Sequence, residues 1–225
     1  LVGSEMCIRD RLISADSALV YRGMDIGTAK PSASELQQYP HQLIDIRDPS
    51  EPYSAADFVR DADAVIHTAL QQSKTPIIVG GTMLYVQRFV RGIAELPSAD
   101  PALREHLQQQ LQQHGALAMH QRLVQFDAAA AAKIHPNNHQ RLLRALEVIE
   151  ATGKSMSSQW QNANSGGAEQ RLPIKLVTAA VVPEQREVLH AQIATRFDAM
   201  LRSGFVAEVE RLMQRGDLHP DLPAM

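Results

Sequence analysis

TPIIVGGT, residues 75–82, is a short β-branched run that ends in two glycines and a threonine. An apolar run of this length, bounded by turn formers, suits a strand buried on both faces. Just upstream, SAADFVRDADAVIHTALQQ opens at Ser54, a good N-cap, with Asp57 three residues on. It places Phe58, Ala62, Val65, Ile66 and Ala69 on one helical stripe. Downstream, Met83 to Val90 reads as a second helix. Helix, buried strand, glycine turn and helix in succession predict an α/β protein with a parallel sheet covered on both faces. Ligands in such sheets sit beyond the carboxyl ends of the strands, so Gly80-Gly81-Thr82 marks a rim.

Working outward, Leu12-Ile13-Ser14 reads as the end of another strand, and DSALVYRGMDIGTAKP (Asp16 to Pro31) follows it. A carboxylate at that edge is either an ordinary turn former or an acid that meets a substrate. HQLIDIRDP, residues 41–49, carries Leu43, Ile44 and Ile46 and stops at the turn signal Asp48-Pro49, so a strand is expected there. The texture changes near LPSADP. From Asp100 to about Ser158 the pattern is helical: DAAAAAK is capped by Asp127 and carries Lys133 in its last turn. HQRLLRALEVIEATGKS sets Leu142, Leu143, Leu146 and Ile149 on one side and ends at Gly153, a C-cap. A polar, glycine-bearing linker, NANSGGAEQ (162–170), precedes IKLVTAAVV (174–182), read as a returning strand, and a long helical pair from Arg186 onward. The expected organisation is an α/β core of residues 12–97 and 171–225 with a helical insertion domain over 98–170. The first eleven residues, LVGSEMCIRDR, show neither strand nor helix periodicity and are read as a non-native leader outside the fold.

The 225 residues are 44% hydrophobic and 21% charged, as suits a soluble globular chain. A formal net charge of −3 excludes a global cationic field, so any nucleic-acid contact needs a local arginine cluster. The single cysteine, Cys7, cannot form an internal disulfide, which fits a reducing cytoplasm. No apolar run approaches the ~18 residues of a membrane span. HPNNH holds His135 and His139 at i, i+4, but Pro136 and two asparagines make it a turn rather than a zinc site. Trp160, the only tryptophan, is expected to pack at the hinge of the insertion.

The Asp16 stretch, DIRDP, VGGTMLY, ADP with its following arginine, HPNNHQRLLRALEV and RFDAML with SGFVAEV occur in an order and spacing that resemble the tRNA dimethylallyltransferases, over essentially Leu12 to Met225. The resemblance implies a P-loop NTPase-like core with an all-helical insertion domain that grips the anticodon arm of tRNA. The activity it implies is transfer of a dimethylallyl group from dimethylallyl diphosphate to the N6 amine of the adenosine 3′ to the anticodon. It gives Asp16 as the catalytic base and as a tRNA contact together with Ser17, Ala18, Leu19 and Thr82. Arg104 and the segment Gln140, Arg141, Leu142, Leu143 and Arg144 complete the tRNA-binding set; Arg141 and Arg144, at i and i+3, share a helix face. Arg196 stands where the family has a basic residue near the diphosphate, with Arg186 as the alternative. Mg2+ is expected with the diphosphate, bound mainly by that substrate, in a cytoplasmic monomer. The family's phosphate loop, G-x-x-x-x-G-K-S/T, is absent, and so is the segment beyond DLPAM. The chain therefore reads as an internal fragment expected to be inactive alone. The alternatives weighed are a P-loop small-molecule kinase and a non-catalytic RNA-binding module.

Overall fold

The computed structural model describes residues 10–93, 100–162, 166–219, 222 and 224. The chain divides into two compact units, one of the residues up to Val90 together with those from Leu172 onward, the other of Arg91–Arg171. The expected 97/98 boundary and the middle of the glycine-bearing linker lie outside the described residues.

In the first unit β1 (Asp10–Ser14) is the centre of a parallel three-stranded sheet between β2 (His41–Gln42) and β3 (Thr75–Val79). Leu12 pairs with Ile77 and Ile13 with Ile78. The strand starts earlier than its apolar run: Asp10 and Arg11, assigned above to a leader, pair with Thr75 and Pro76. Burial begins only at Leu12, so the two charged residues carry no strand signal in the sequence. The rest of that leader, residues 1–9, lies outside the described residues.

The helix α2 (Ala55–Gln71) begins as its sequence predicts, with Ser54 accepting from Asp57 N and the Asp57 carboxylate accepting from Ser54 N at 2.9 Å. It buries Phe58, Ala62, Ile66 and Ala69. Phe58 stacks on Tyr85 of α3 (Met83–Arg91), with ring centroids 4.8 Å apart and planes 11° from parallel, and meets Phe89 edge-on. A shorter helix, α1 (Ala33–Gln38), opens with its own capping box at Ser32 and Glu35.

Two expected strands differ. HQLIDIRDP is a strand only at His41–Gln42, because Leu43 and Asp45 take left-handed φ values of 65° and 56° and turn the chain out of the ladder; it pairs again only at Arg47, in an isolated parallel bridge to Tyr21. IKLVTAAVV forms no strand: no described strand pairs with it, and Val177, Val181 and Val182 stand exposed. The helical pair that follows does form, as α9 (Arg186–Arg202) and α10 (Phe205–Met213), separated by Gly204 at φ 97°.

The second unit comprises α4 (Pro101–Phe126), broken at Gly115 (φ 79°), α5 (Ala128–Ala131), α6 (His139–Thr152), α7 (Met156–Asn162) and α8 (Ala168–Arg171). Its core joins Leu107, Met119, Leu123, Leu142, Leu146 and Met156. Asp127, nearly buried, caps α5 by accepting from Ala130 N at 3.0 Å and accepts from Ser157 N with its other oxygen at 2.7 Å. Burial works to raise its pKa, but the hydrogen bonds hold it below the ordinary aspartate value. Asn138 caps α6 through Arg141 N, and Gly153 closes it in the left-handed conformation.

At the end of β3, a Cβ on Gly80 would lie 2.3 Å from the carbonyl oxygen of Ala15. Only glycine lets the chain leave β3 against the backbone that leaves β1. Gly80→Ala is therefore expected to destabilise the fold by roughly 1–3 kcal/mol, the usual cost of forcing extra atoms into a packed site. Urea unfolding checks this; an unchanged midpoint would show that the two backbones can separate freely.

Candidate functional site

Two loops leave the carboxyl ends of β1 and β3 side by side, and hydrogen bonds hold them together. Ala15 N donates to Val79 O at 2.8 Å, and Thr82 N donates to Ala15 O at 3.2 Å. Ser17 N donates to Thr82 Oγ1 at 2.9 Å, and the Thr82 hydroxyl lies 3.3 Å from Ser17 Oγ. Thr82 O then accepts from Tyr85 N and Val86 N, which starts α3. The structure thus brings Asp16, Ser17 and Thr82 to one rim, the edge at which ligands enter such sheets.

Asp16 is half-buried. Its Oδ1 accepts from Ala18 N at 2.8 Å and Leu19 N at 3.2 Å, an Asx turn that uses one oxygen. Among the described residues no hydrogen bond reaches Oδ2. The turn-forming and the chemical readings of this acid are therefore compatible: one oxygen orients the carboxylate and the other is left to accept a proton. Ser17 is exposed, while Ala18 and Leu19 are half-buried. Beneath them the Tyr85 phenol is pushed well above its ordinary pKa, by burial first and then by Tyr21, Asp57 and Asp16. It stays protonated and donates to Tyr53 O at 3.2 Å.

The stretch after Asp16 is braced by two charged groups to which the sequence reading assigned no role. The Lys30 side chain is only 4% exposed, and its ammonium donates to Tyr21 O at 2.7 Å, Asp25 Oδ1 at 2.7 Å and Asp45 Oδ1 at 2.5 Å. Glu208, on α10, is buried and accepts the consecutive N–H groups of Asp25, Ile26 and Gly27 at 2.9–3.1 Å. Burial works to raise its pKa, but those three donors hold it below the usual glutamate value. A Cβ on Gly27 would lie 2.3 Å from the Phe205 ring, so glycine is required where α10 docks. One signal for Glu208 was present in the sequence: it lies on the stripe of Phe205 and Leu212, at i+3 and i+7, where a charge is out of place.

In the helical unit the candidates separate. Gln140 and Arg141 are exposed on the first turn of α6, and Arg104 is half-buried on α4. Leu142 and Leu143, expected on the RNA-binding segment, turn their side chains into the apolar core instead: they are 0% and 6% exposed. Nor is Arg144 a free cation for phosphate. It lies 2.9 Å from Glu147, a carboxylate only 2% exposed that also accepts from Asp100 N at 3.0 Å. A buried anion holds its cation in place, and the i, i+3 spacing to Arg141 does not put both arginines in water. Arg186 and Arg196 are exposed on α9, which buries no side chain. In HPNNH, His135 accepts from Asn137 N and Asn138 caps α6, while the Trp160 side chain lies outside the described residues.

Comparison with known proteins places these features in context. The family model described as IPP transferase matches residues 19–225. The tRNA dimethylallyltransferase of Chromohalobacter salexigens is 52% identical over 224 residues, covering 98% of this chain and 70% of its own length. Among solved structures, the full-length tRNA isopentenylpyrophosphate transferase of Bacillus halodurans superposes with a TM-score of 0.53 at 35% identity, over 96% of this chain and 64% of that one. A eukaryotic dimethylallyltransferase acting on tRNA superposes with a TM-score of 0.69 at 26% identity, over 92% of this chain and 50% of that one.

The separation of the two α6 arginines has a measurable consequence. Arg144→Ala leaves the Glu147 carboxylate buried without its cation and should destabilise the helical unit by about 3 kcal/mol, the low end for a broken buried pair because Arg144 is partly exposed. Arg141→Ala should stay within ~0.5 kcal/mol of wild type, as exposed substitutions do. Equal urea midpoints for the two variants would contradict the assignment of Arg144 to Glu147.

Proposed function

The chain belongs to the IPP transferase family, and from that premise we propose that it transfers a dimethylallyl group from dimethylallyl diphosphate to the N6 amine of the adenosine 3′ to the anticodon of a tRNA. The observation that carries the chemistry is the Asp16 carboxylate at the paired rim, with one oxygen held by Ala18 and Leu19 and the other open. An adenine amine is a weak nucleophile because its lone pair is delocalised into the ring. In the proposed step the N6 lone pair forms a bond to C1 of the dimethylallyl group. The C1–O bond breaks with its electron pair on the diphosphate, and the N6 proton passes to Asp16. A positioned base of this kind typically contributes ~10²–10⁴-fold. The adenosine has to leave the base stack to present its amine, as in other enzymes that act on a base.

In this reading Ser17, Ala18, Leu19 and Thr82 border the flipped nucleotide, and Arg104, Gln140 and Arg141 hold the anticodon arm. Leu142, Leu143 and Arg144 keep the structural roles described above. The diphosphate is met by Arg196, or by Arg186 on the same helix, through the forked geometry of a guanidinium. Among the described residues no group of three His, Cys, Asp or Glu side chains is placed to hold a metal ion. Magnesium would enter with the diphosphate and be bound mainly by that substrate. No helix among the described residues is long and apolar enough to cross a membrane. We place the reaction in the cytoplasm, which the single cysteine noted above fits.

The direct test is to mix a complete enzyme that carries these residues and the family's phosphate loop with an anticodon stem-loop and dimethylallyl diphosphate and to weigh the RNA. Mass gain at the 3′ adenosine is expected there and none from residues 1–225 alone; no gain with tight RNA binding by the complete enzyme would leave a non-catalytic RNA-binding module. Asp16→Ala should abolish transfer and keep RNA affinity within a few-fold, whereas lost binding with normal turnover would make Asp16 a recognition residue. Arg141→Ala should weaken RNA binding at low salt and reduce the salt slope by about one phosphate contact. An unchanged slope would return Arg141 to an ordinary solvated helix face.

A further inference from the structure

Hydrogen bonds in series join α10 to Asp16. Glu208 accepts the N–H groups of Asp25, Ile26 and Gly27. Asp25 Oδ1 accepts from Lys30 Nζ at 2.7 Å, and that ammonium also donates to Tyr21 O and Asp45 Oδ1. Tyr21 N donates to Ala18 O at 3.2 Å and Asp45 N to Leu19 O at 3.1 Å. Ala18 N and Leu19 N are the two donors that set the Asp16 carboxylate. Resting on the transferase reading above, we propose that Glu208 is a positioning residue for Asp16, acting through the 25–27 turn and Lys30.

The chemistry explains why a carboxylate is needed. Three consecutive N–H groups that converge on one point form a concavity of partial positive charge, which an anion fills and a neutral side chain does not. In Glu208→Gln the side-chain amide would offer one acceptor oxygen and turn its NH2 toward a backbone donor. With the 25–27 turn released, Asp25 would leave the Lys30 ammonium, which is almost fully buried and depends on all three of its acceptors. Tyr21 and Asp45, the other two partners of Lys30, are bonded to the same Ala18–Leu19 turn. A displacement of about 1 Å in a general base is enough to cost ~10²-fold in rate. Other contacts of α10 and of the turn after it do not pass through Lys30: Phe205 lies against Gly27, Arg211 donates to Gly23 O, and Arg215, just past the helix, pairs with Asp48.

The test compares Glu208→Gln, Glu208→Asp and Arg215→Ala by amide NMR in the full chain and by transfer kinetics in a complete enzyme that carries the phosphate loop. Glu208→Gln is expected to displace the amide resonances of Asp25–Gly27 and also those of Ala18 and Leu19, leaving Phe58 and Ile66 of α2 in place. Its kcat should fall about 10²-fold with KM for the RNA within a few-fold. Glu208→Asp, which keeps the charge on a shorter arm, should give intermediate displacements and recover part of the rate; it also decides the matter should Glu208→Gln not fold. Arg215→Ala, which loosens α10 elsewhere, should leave Ala18 and Leu19 where they are. Unmoved Ala18 and Leu19 amides in Glu208→Gln, or equal movement in Arg215→Ala, would overturn the proposal. A complete enzyme without transfer activity would sink the transferase reading instead, because the amide comparison needs no turnover.

Discussion

The close approach of two backbones at Gly80 and Ala15 is the constraint on which the candidate site depends. Parallel strands deliver their carboxyl ends to one edge, but adjacency at that edge is not automatic. Here the missing side chain of Gly80 lets Thr82 N reach Ala15 O, and the Thr82 hydroxyl then takes Ser17 N. Asp16 lies between those two contacts. Its position is thus set by backbone geometry on one side and by its own Asx turn on the other. Neither constraint consumes the second carboxylate oxygen, so the turn that orients Asp16 leaves that oxygen able to accept a proton.

Buried charges recur in this protein as connectors between segments distant in sequence. Asp127 ties the start of α5 to the start of α7, Glu147 ties α6 to the entry of α4, and Glu208 ties α10 to the 25–27 turn. Each of these carboxylates accepts at least one backbone N–H. A backbone donor survives every substitution except proline and carries no charge of its own to be screened, so such contacts specify geometry more firmly than surface ion pairs do. Lys30 does the same from the cationic side, with a backbone carbonyl and two aspartates.

Much of the fold was legible because its signals are local. Ser54 and Asp57, Asp127, Gly153 and the stripe of α2 act within one turn of helix, and the structure places each as the pattern indicates. What was not legible depends on partners far along the chain. Leu43 and Asp45 leave the strand because of the turn they enter, and IKLVTAAVV pairs with no described strand, neither of which hydropathy reports. Asp10 and Arg11 extend β1 through backbone pairing to Thr75 and Pro76, where side-chain pattern is silent.

The site shows the same division at the level of single side chains. Resemblance marked the segment from Gln140 to Arg144 as one RNA-contacting unit, yet a helix turns by about 100° per residue and cannot aim five successive side chains at one ligand. Leu142 and Leu143 face the core, Arg144 is drawn to the buried Glu147, and Gln140 and Arg141 remain exposed. Motif similarity marks a segment, and helical periodicity decides which of its side chains stand on the surface. At Asp16 the two criteria agree, because a turn, unlike a helix, lets neighbouring Ser17, Ala18 and Leu19 gather around one point through the Asx turn of Asp16 and the contact of Ser17 with Thr82.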